Sequence, residues 1–158
     1  MTAPTLRVRS ATTADLDQIV ALERITDNTP HWPPTTYSAI LEPPQGMHPK
    51  RCLLVACEAE TLKGFAVAAL PADTQIAEIE SIAVAASARR TGIGRTLCTA
   101  ALDWCHEQGA TSILLEVRAN STAAIALYTA LGFVTAGRRP RYYRNPGDDA
   151  LLMNRPLP

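Results

Sequence analysis

The chain has 158 residues, 47% hydrophobic and 19% charged, and its 15 basic and 15 acidic side chains cancel to a formal net charge of zero. That length suits one domain with a substantial core, and that composition a globular chain rather than a disordered one. The balanced charge excludes a protein built around a nucleic-acid backbone, and no apolar run approaches the roughly 18 residues of a membrane span.

In chain order, Leu6 to Arg9 alternates apolar and basic residues and predicts a short first strand. Thr12 or Thr13 then caps a helix that ends around Thr26 to Asn28, with Leu16, Ile19, Val20 and Ile25 near one face. Residues Thr29 to Pro49 are interrupted by prolines and hold Trp32 and Tyr37. A short helix fits at Thr35 to Leu41, and a connection this long is either functional or a packed surface loop.

Cys52–Cys57 and Gly64–Leu70 read as a hairpin around Glu58–Thr61. Ile76–Val84 reads as a third strand, with Glu78, Glu80, Ile82 and Val84 on one face and Ile79, Ser81 and Ala83 on the other. A helix follows from Ile93 to Gln108, with Leu97, Ala101, Trp104 and Cys105 as its apolar stripe and Gly109 as its stop. Ser112–Val117 is a strand, and Asn120 or Ser121 caps a helix over Thr122–Ala130. That helix presents Ala124, Leu127, Tyr128 and Leu131 inward, and Gly132 stops it. Short strands are expected at Phe133–Ala136 and Ala150–Met153, with a basic, aromatic connection between them. The expected fold is one α/β domain over residues 4–155, with a mixed, mostly antiparallel central sheet flanked by helices.

Cys52, Cys57, Cys98 and Cys105 form no CxxC pair and read as reduced core residues, so no metal site is expected. The N-terminal residues lack the apolar stretch of a secretory signal, and the expected location is the cytoplasm. His31, His48 and His106 carry little weight.

The run Arg89-Arg90-Thr91-Gly92-Ile93-Gly94-Arg95 stands between a strand and a helix. The first N–H groups of a helix lack internal partners, and glycines let the backbone approach a ligand closely. Phosphate oxygens fit such a turn, and the arginines add charge around it. The spacing is neither a dinucleotide fingerprint nor a Walker A loop, so several nucleotide-like cofactors remain open.

Ile82-Ala83-Val84 followed by this run resembles the acetyl-CoA signature of the GNAT superfamily of N-acetyltransferases. Leu115 to Phe133 is similar to the RimI branch, which acetylates protein N-termini, ribosomal protein bS18 among them. Arg141-Tyr142-Tyr143, Asp148 to Met153 and His31-Trp32-Pro33 add to the likeness. The resemblance implies that the backbone of Ile82, Ala83 and Val84 pairs with the pantetheine arm. Arg89, Arg90, Thr91, Gly92, Ile93, Gly94 and Arg95 would surround the pyrophosphate, with Asn120 and Ser121 nearby. The order Asn120-Ser121 reverses the family's usual pair, and Ala85-Ala86 stands where the family often has Asp-Pro.

The resemblance also implies Glu116 as general base and Tyr128 as the group beside the thioester sulfur. The strand period sets Glu116 with Leu114, opposite Ile113, Leu115 and Val117, where partial burial favours a base; an ion pair with Arg118 is the structural alternative. A phenol can donate to a departing sulfur, or Tyr128 can be a packed core tyrosine. Cys98 lies inside a helix and is not expected to act as a nucleophile. Trp32, Arg141, Tyr142 and Tyr143 would line the acceptor side, with Glu80 as one acid for the incoming amine. The implied partner is a protein or peptide N-terminus, and the protein a monomer or weak dimer without nucleic acid or membrane. A small-molecule amine acceptor, or a silent CoA-binding module, remains an alternative.

Overall fold

The computed structural model describes residues 5–26, 29–46 and 49–158. The expected start at residue 4, the helix end at Asn28 and the loop residue His48 lie outside them. The elements are β1 (Leu6–Ser10), α1 (Leu16–Ile25), α2 (Pro34–Leu41), β2 (Lys50–Glu58), β3 (Thr61–Leu70) and β4 (Ile76–Val84). They continue with α3 (Ile93–Glu107), β5 (Ser112–Arg118), α4 (Thr122–Ala130), β6 (Val134–Arg144) and β7 (Gly147–Pro156). The strands form one seven-stranded sheet in the order β1-β2-β3-β4-β5-β7-β6. Only β4 and β5 run parallel, joined through α3. This is the mixed, mostly antiparallel α/β sheet that the sequence predicts.

Each face of the sheet buries its own apolar cluster. Leu97, Cys98, Ala101, Leu102 and Cys105 of α3 pack on Ala66, Ala68, Ile113 and Leu115. Ile19 and Leu22 of α1 and Tyr37 of α2 pack on Val55, Phe65 and Val67 of the opposite face. Burying one such side chain contributes about 1.5–3 kcal/mol. Gly64 shows how closely β3 meets α3: a Cβ there would lie 2.7 Å from the Ala83 carbonyl and 3.0 Å from Leu97.

Local expectations hold where local chemistry governs. Pro34 begins α2, and Gly109 and Gly132, with φ of 91° and 93°, follow α3 and α4 in the left-handed region. Thr12 starts a capping box with Asp15 ahead of α1. Ser121 occupies the N-cap position of α4, but its hydroxyl does not cap that helix.

One expectation is extended and three are corrected. The apolar stripe of α3 packs as expected, with Trp104 at its partly buried margin, and also takes in Cys98 and Leu102. Ile25 is 78% exposed, and α1 instead buries Ile19, Leu22 and Glu23. The strand expected to end at Ala136 runs to Arg144, and its partner spans Gly147–Pro156. β6 is an edge strand, where Pro140 forfeits no ladder bond that the sheet needs. The single-face reading of β4 fails because the strand is bulged: Val67 faces Ser81 while Ala68 faces Ile79, which leaves Glu80 as the extra residue. Side-chain parity therefore flips at Glu80. Ile79, Ile82 and Val84 all pack toward α3, whereas Ala83 joins the α1 and α2 cluster.

Candidate active site

The bulge at Glu80 also ends the pairing of β4 with β5. Their register runs from Ile76↔Ser112 to Ile79↔Leu115 and stops there. Bulges increase local twist, so the strand leaves the ladder at a new angle. β5 keeps its other edge on β7 throughout, from Ser112↔Pro156 to Arg118↔Ala150. Glu116 and Arg118 are thus held by β7 beside a gap that opens toward Glu80–Val84.

A cavity lies on each side of this split. The helix-side cavity, about 470 Å³, is lined by Ile82, Val84, Arg89, Asn120, Ser121 and Tyr128 among others. The loop-side cavity, about 590 Å³, is lined by Thr29, Pro30 and Trp32, by Glu78 and Leu114, and by Arg139 and Tyr142. Ile79, Glu80, Leu115, Glu116, Arg118 and Tyr143 line both. The gap between the strands is therefore the wall that the two spaces share, and Glu116 stands in it.

The helix-side cavity leads to the turn before α3. Arg90 and Gly92 adopt left-handed φ values of 64° and 87°, and this alternation of hand turns successive N–H groups to one side. Gly92 is the N-cap of α3 and offers no side chain to cap it, so the first N–H groups remain for an anion. The Thr91 hydroxyl donates to the Ala88 carbonyl and fixes the turn. Arg89, Arg90 and Arg95 are exposed, and the Arg89 Nε donates to the Val84 carbonyl at 3.3 Å. Ile93 is 3% exposed and anchors the turn in the core, while Gly94 faces Leu127 and Val84. Ala83 points to the opposite face, so only its backbone can face this cavity. Asn120 donates its N–H to Asp148 Oδ2 at 3.0 Å, which fixes the start of α4.

Tyr128 packs edge-on against Phe133, with ring centroids 5.8 Å apart. Burial, with smaller effects from Cys98 and Tyr143, raises its phenol well above the ordinary value, so it stays protonated and able to donate. The Cys98 thiol is pushed up to about 12 by burial, which leaves it inert.

On the loop side, Trp32 leans on Tyr37 at 5.7 Å and lies under Arg51, whose guanidinium carbon is 5.9 Å from the ring centroid. Tyr142 and Tyr143 form a T-shaped pair at 5.1 Å. Asp149 pins a second bulge in β6 by accepting from Arg138 Nε at 2.6 Å and from the Arg141 N–H at 2.8 Å. Its carboxyl is held below the ordinary range first by the Arg141 backbone bond and then by Arg138. The pinned bulge sets Tyr142 beside Glu116, whose charge and hydrogen bonding raise the Tyr142 phenol.

Several sequence expectations change here. The Glu116 carboxylate pairs with Arg139 at 3.5 Å, not with Arg118. Arg118 instead stacks on Tyr143 at 4.2 Å and donates to the Pro146 carbonyl at 2.8 Å. Arg141 lines neither cavity, because the bulge turns it outward; Arg139 takes that place. Glu80 is committed to Arg51 through bonds of 2.9 and 3.3 Å, so it is not an open acid for an amine. His31 binds the Thr26 carbonyl at 2.8 Å and lines neither cavity, and His106 is on the α3 surface. Arg139 and Glu78 line the loop-side cavity and Arg51 holds Glu80 from outside its lining; none of the three is among the sequence-based site expectations. Arg139 had a signal in the Arg138-Arg139-Pro140-Arg141 run, but the bulge decides which of its arginines turns inward.

The chain belongs to the acetyltransferase (GNAT) family, whose model matches residues 17–133. It is 34% identical over 160 residues to the N-alpha-acetyltransferase RimI of Mycobacterium tuberculosis, covering 98% of this chain and 96% of that one. An uncharacterized protein of Mycobacterium leprae is 36% identical over 151 residues; the match covers 94% of this chain but only 40% of that longer relative. The crystal structure of the ribosomal-protein-S18-alanine N-acetyltransferase from Escherichia coli superposes with a TM-score of 0.81 at 29% identity, covering 97% of this chain and 94% of that one. The protein is thus an acetyltransferase of the RimI type, from a family that uses acetyl-CoA. Among the described residues, no helix is long and apolar enough to cross a membrane and no group of side chains could hold a metal ion.

Proposed function

We propose that this chain transfers an acetyl group from acetyl-CoA to the N-terminal α-amine of a protein, with a ribosomal protein of the bS18 kind as candidate acceptor. The observation that carries the reading is the position of Glu116 in the wall shared by the two cavities. The relatives named for N-terminal acetylation support it. The aromatic, charged loop-side cavity suits an extended peptide end better than a closed small-amine pocket does.

The residues present fit acetyl-CoA, which when bound supplies an acetyl thioester. The edge of β4 from Ile82 to Val84, left unpaired by β5, can bond an extended amide-bearing arm. The turn from Arg89 to Arg95 offers N–H groups and guanidinium charge to phosphates, with Asn120 and Ser121 across the cavity. From the loop side an ammonium group reaches Glu116, which accepts its proton. With acetyl-CoA bound, the freed amine would form the carbon–nitrogen bond as the carbon–sulfur bond breaks. Tyr128 would give its O–H proton to the departing sulfur and regain a proton from the surplus one on the new amide nitrogen, so that the N-acetyl product and the CoA thiol are released. The working unit is residues 4–155, acting in the cytoplasm as a monomer or weak dimer.

Thiol release from acetyl-CoA, measured with peptides of varied first residue and with small amines, tests the reading. Release with peptides, with the acetyl group found by mass spectrometry on the first residue, supports it. Release with small amines alone, or CoA binding without turnover, overturns it.

A further inference from the structure

Three polar atoms behind the active site have no hydrogen-bond partner among the described residues: Glu23 Oε1 on α1, the Tyr37 hydroxyl on α2 and Ser81 Oγ on β4. Their residues are 2%, 0% and 6% exposed. The packing brings them into one layer. Tyr37 meets Phe65 edge-on at 5.8 Å, Phe65 pairs with Ala83, and Ser81 is the next residue of β4 on that face, opposite Val67. The helix α1 lies across β3 and β4 with Glu23 on its buried face. Glu23 is near enough to Tyr37 for its charge to add to the burial that raises the Tyr37 phenol. A buried polar group that gives up water without gaining a partner carries its full desolvation cost, so three in one layer point to a shared partner. The set holds two donors, the Tyr37 and Ser81 hydroxyls, and one acceptor, the Glu23 carboxylate. One water matches it: its lone pairs accept from the two hydroxyls and one of its O–H groups donates to Glu23 Oε1, the three bonds typical of a buried water.

Each of these residues also stands directly behind the wall of the loop-side cavity. Tyr37 supports Trp32, with ring centroids 5.7 Å apart. Ser81 follows the bulge residue Glu80. The Glu23 carbonyl accepts from the Thr29 hydroxyl at 3.1 Å. Trp32, Glu80 and Thr29 all line that cavity. We infer that Glu23, Tyr37 and Ser81 hold one buried water, and that this water makes them positioning residues, tying α1, α2 and the β4 bulge into one rigid wall of the active site. The water site itself does not depend on which amine is the acceptor.

A crystal structure should show one water within about 3 Å of all three atoms. A direct bond between any two of them, with no water, overturns the inference. Tyr37→Phe and Ser81→Ala each remove one donor, and each should raise the KM for a peptide with an N-terminal alanine about fivefold, the effect of one lost hydrogen bond, with a smaller change in kcat. The double variant should lose no more than either single one, because the water leaves with its first donor. Glu23→Gln keeps an acceptor oxygen and should keep the KM, whereas Glu23→Leu should raise it. An unmoved KM in Tyr37→Phe and Ser81→Ala, with only the thermal midpoint lowered, reduces the cluster to packing and overturns the positioning role. Losses that add in the double variant overturn the shared water. So does a loss in Glu23→Gln as large as in Glu23→Leu, which assigns Glu23 a role for its charge. If only small amines are acetylated, the acceptor reading fails separately, and the same comparison on the amine's KM still decides this one. If nothing is acetylated, the crystal structure and the thermal midpoints of the single and double variants decide the water site.

Discussion

The two sides of the split between β4 and β5 are built from different materials. The helix side is made mostly of backbone: the edge of β4, a turn with Arg90 and Gly92 in left-handed conformations, and the N-termini of α3 and α4. The loop side is made of side chains drawn from β4, β5, β6, β7 and the loop around Trp32, held by ring contacts and by ion pairs, one of them to Arg51 of β2. Backbone recognition suits a ligand whose shape never changes, and side-chain recognition suits a partner that distinguishes one relative from another. Variation between such enzymes should therefore concentrate on the loop side.

The largest effects are expected at the wall that both sides share. Glu116→Gln should lower kcat by roughly 10²–10⁴-fold, the range for loss of a general base. Calorimetry should find the CoA dissociation constant unchanged, because the substitution leaves the backbone side intact. An unchanged kcat with weakened CoA binding would refute the role. Tyr128→Phe should cost about 10²-fold at most in kcat, again with CoA binding kept. Equal turnover by the phenylalanine variant would leave Tyr128 as a packing residue against Phe133.

The contrast between the sides also explains what the sequence revealed. Arg89 to Arg95 is contiguous, so its glycines and arginines announce a phosphate turn without any knowledge of the sheet. The strand period placed Glu116 opposite Ile113, Leu115 and Val117, since β5 is regular and paired along its whole length with β7. The period failed on β4, where the extra residue at Glu80 reverses every side chain beyond it and separates Glu78 from Ile82. It failed again on β6, where Gly137 and Pro140 read as the end of a strand that continues as a bulged edge. Arg139 and Arg141 are equivalent in sequence, and only the bonds of Asp149 choose between them.

Arg90→Ala probes the backbone side alone. It should weaken CoA binding roughly fivefold, about 1 kcal/mol for one exposed charge contact, and leave the acceptor KM unchanged. An unaltered CoA dissociation constant would count against the phosphate turn. An increase in acceptor KM of the same size would erase the division between the two sides.

Asp149→Asn is the matching probe of the side-chain side, and its effect should be the smallest. It removes the charge that accepts from Arg138 and from the Arg141 N–H, so the β6 bulge loosens and Tyr142 and Arg139 lose their fixed place beside Glu116. The acceptor KM should rise about threefold, on the scale of an exposed charged contact, while CoA affinity is kept. A pH series isolates the cause. The Asp149 carboxyl is lower in the folded protein than in the unfolded chain. Its stabilisation is therefore complete above the unfolded value near about 4 and is lost as pH falls through the lower folded value. The thermal midpoint of the wild type should exceed that of Asp149→Asn at pH 6, and the difference should narrow toward pH 3. A difference that stays constant over that range would mean that the bulge is held by packing of Tyr142 and Tyr143 rather than by the Asp149 charge.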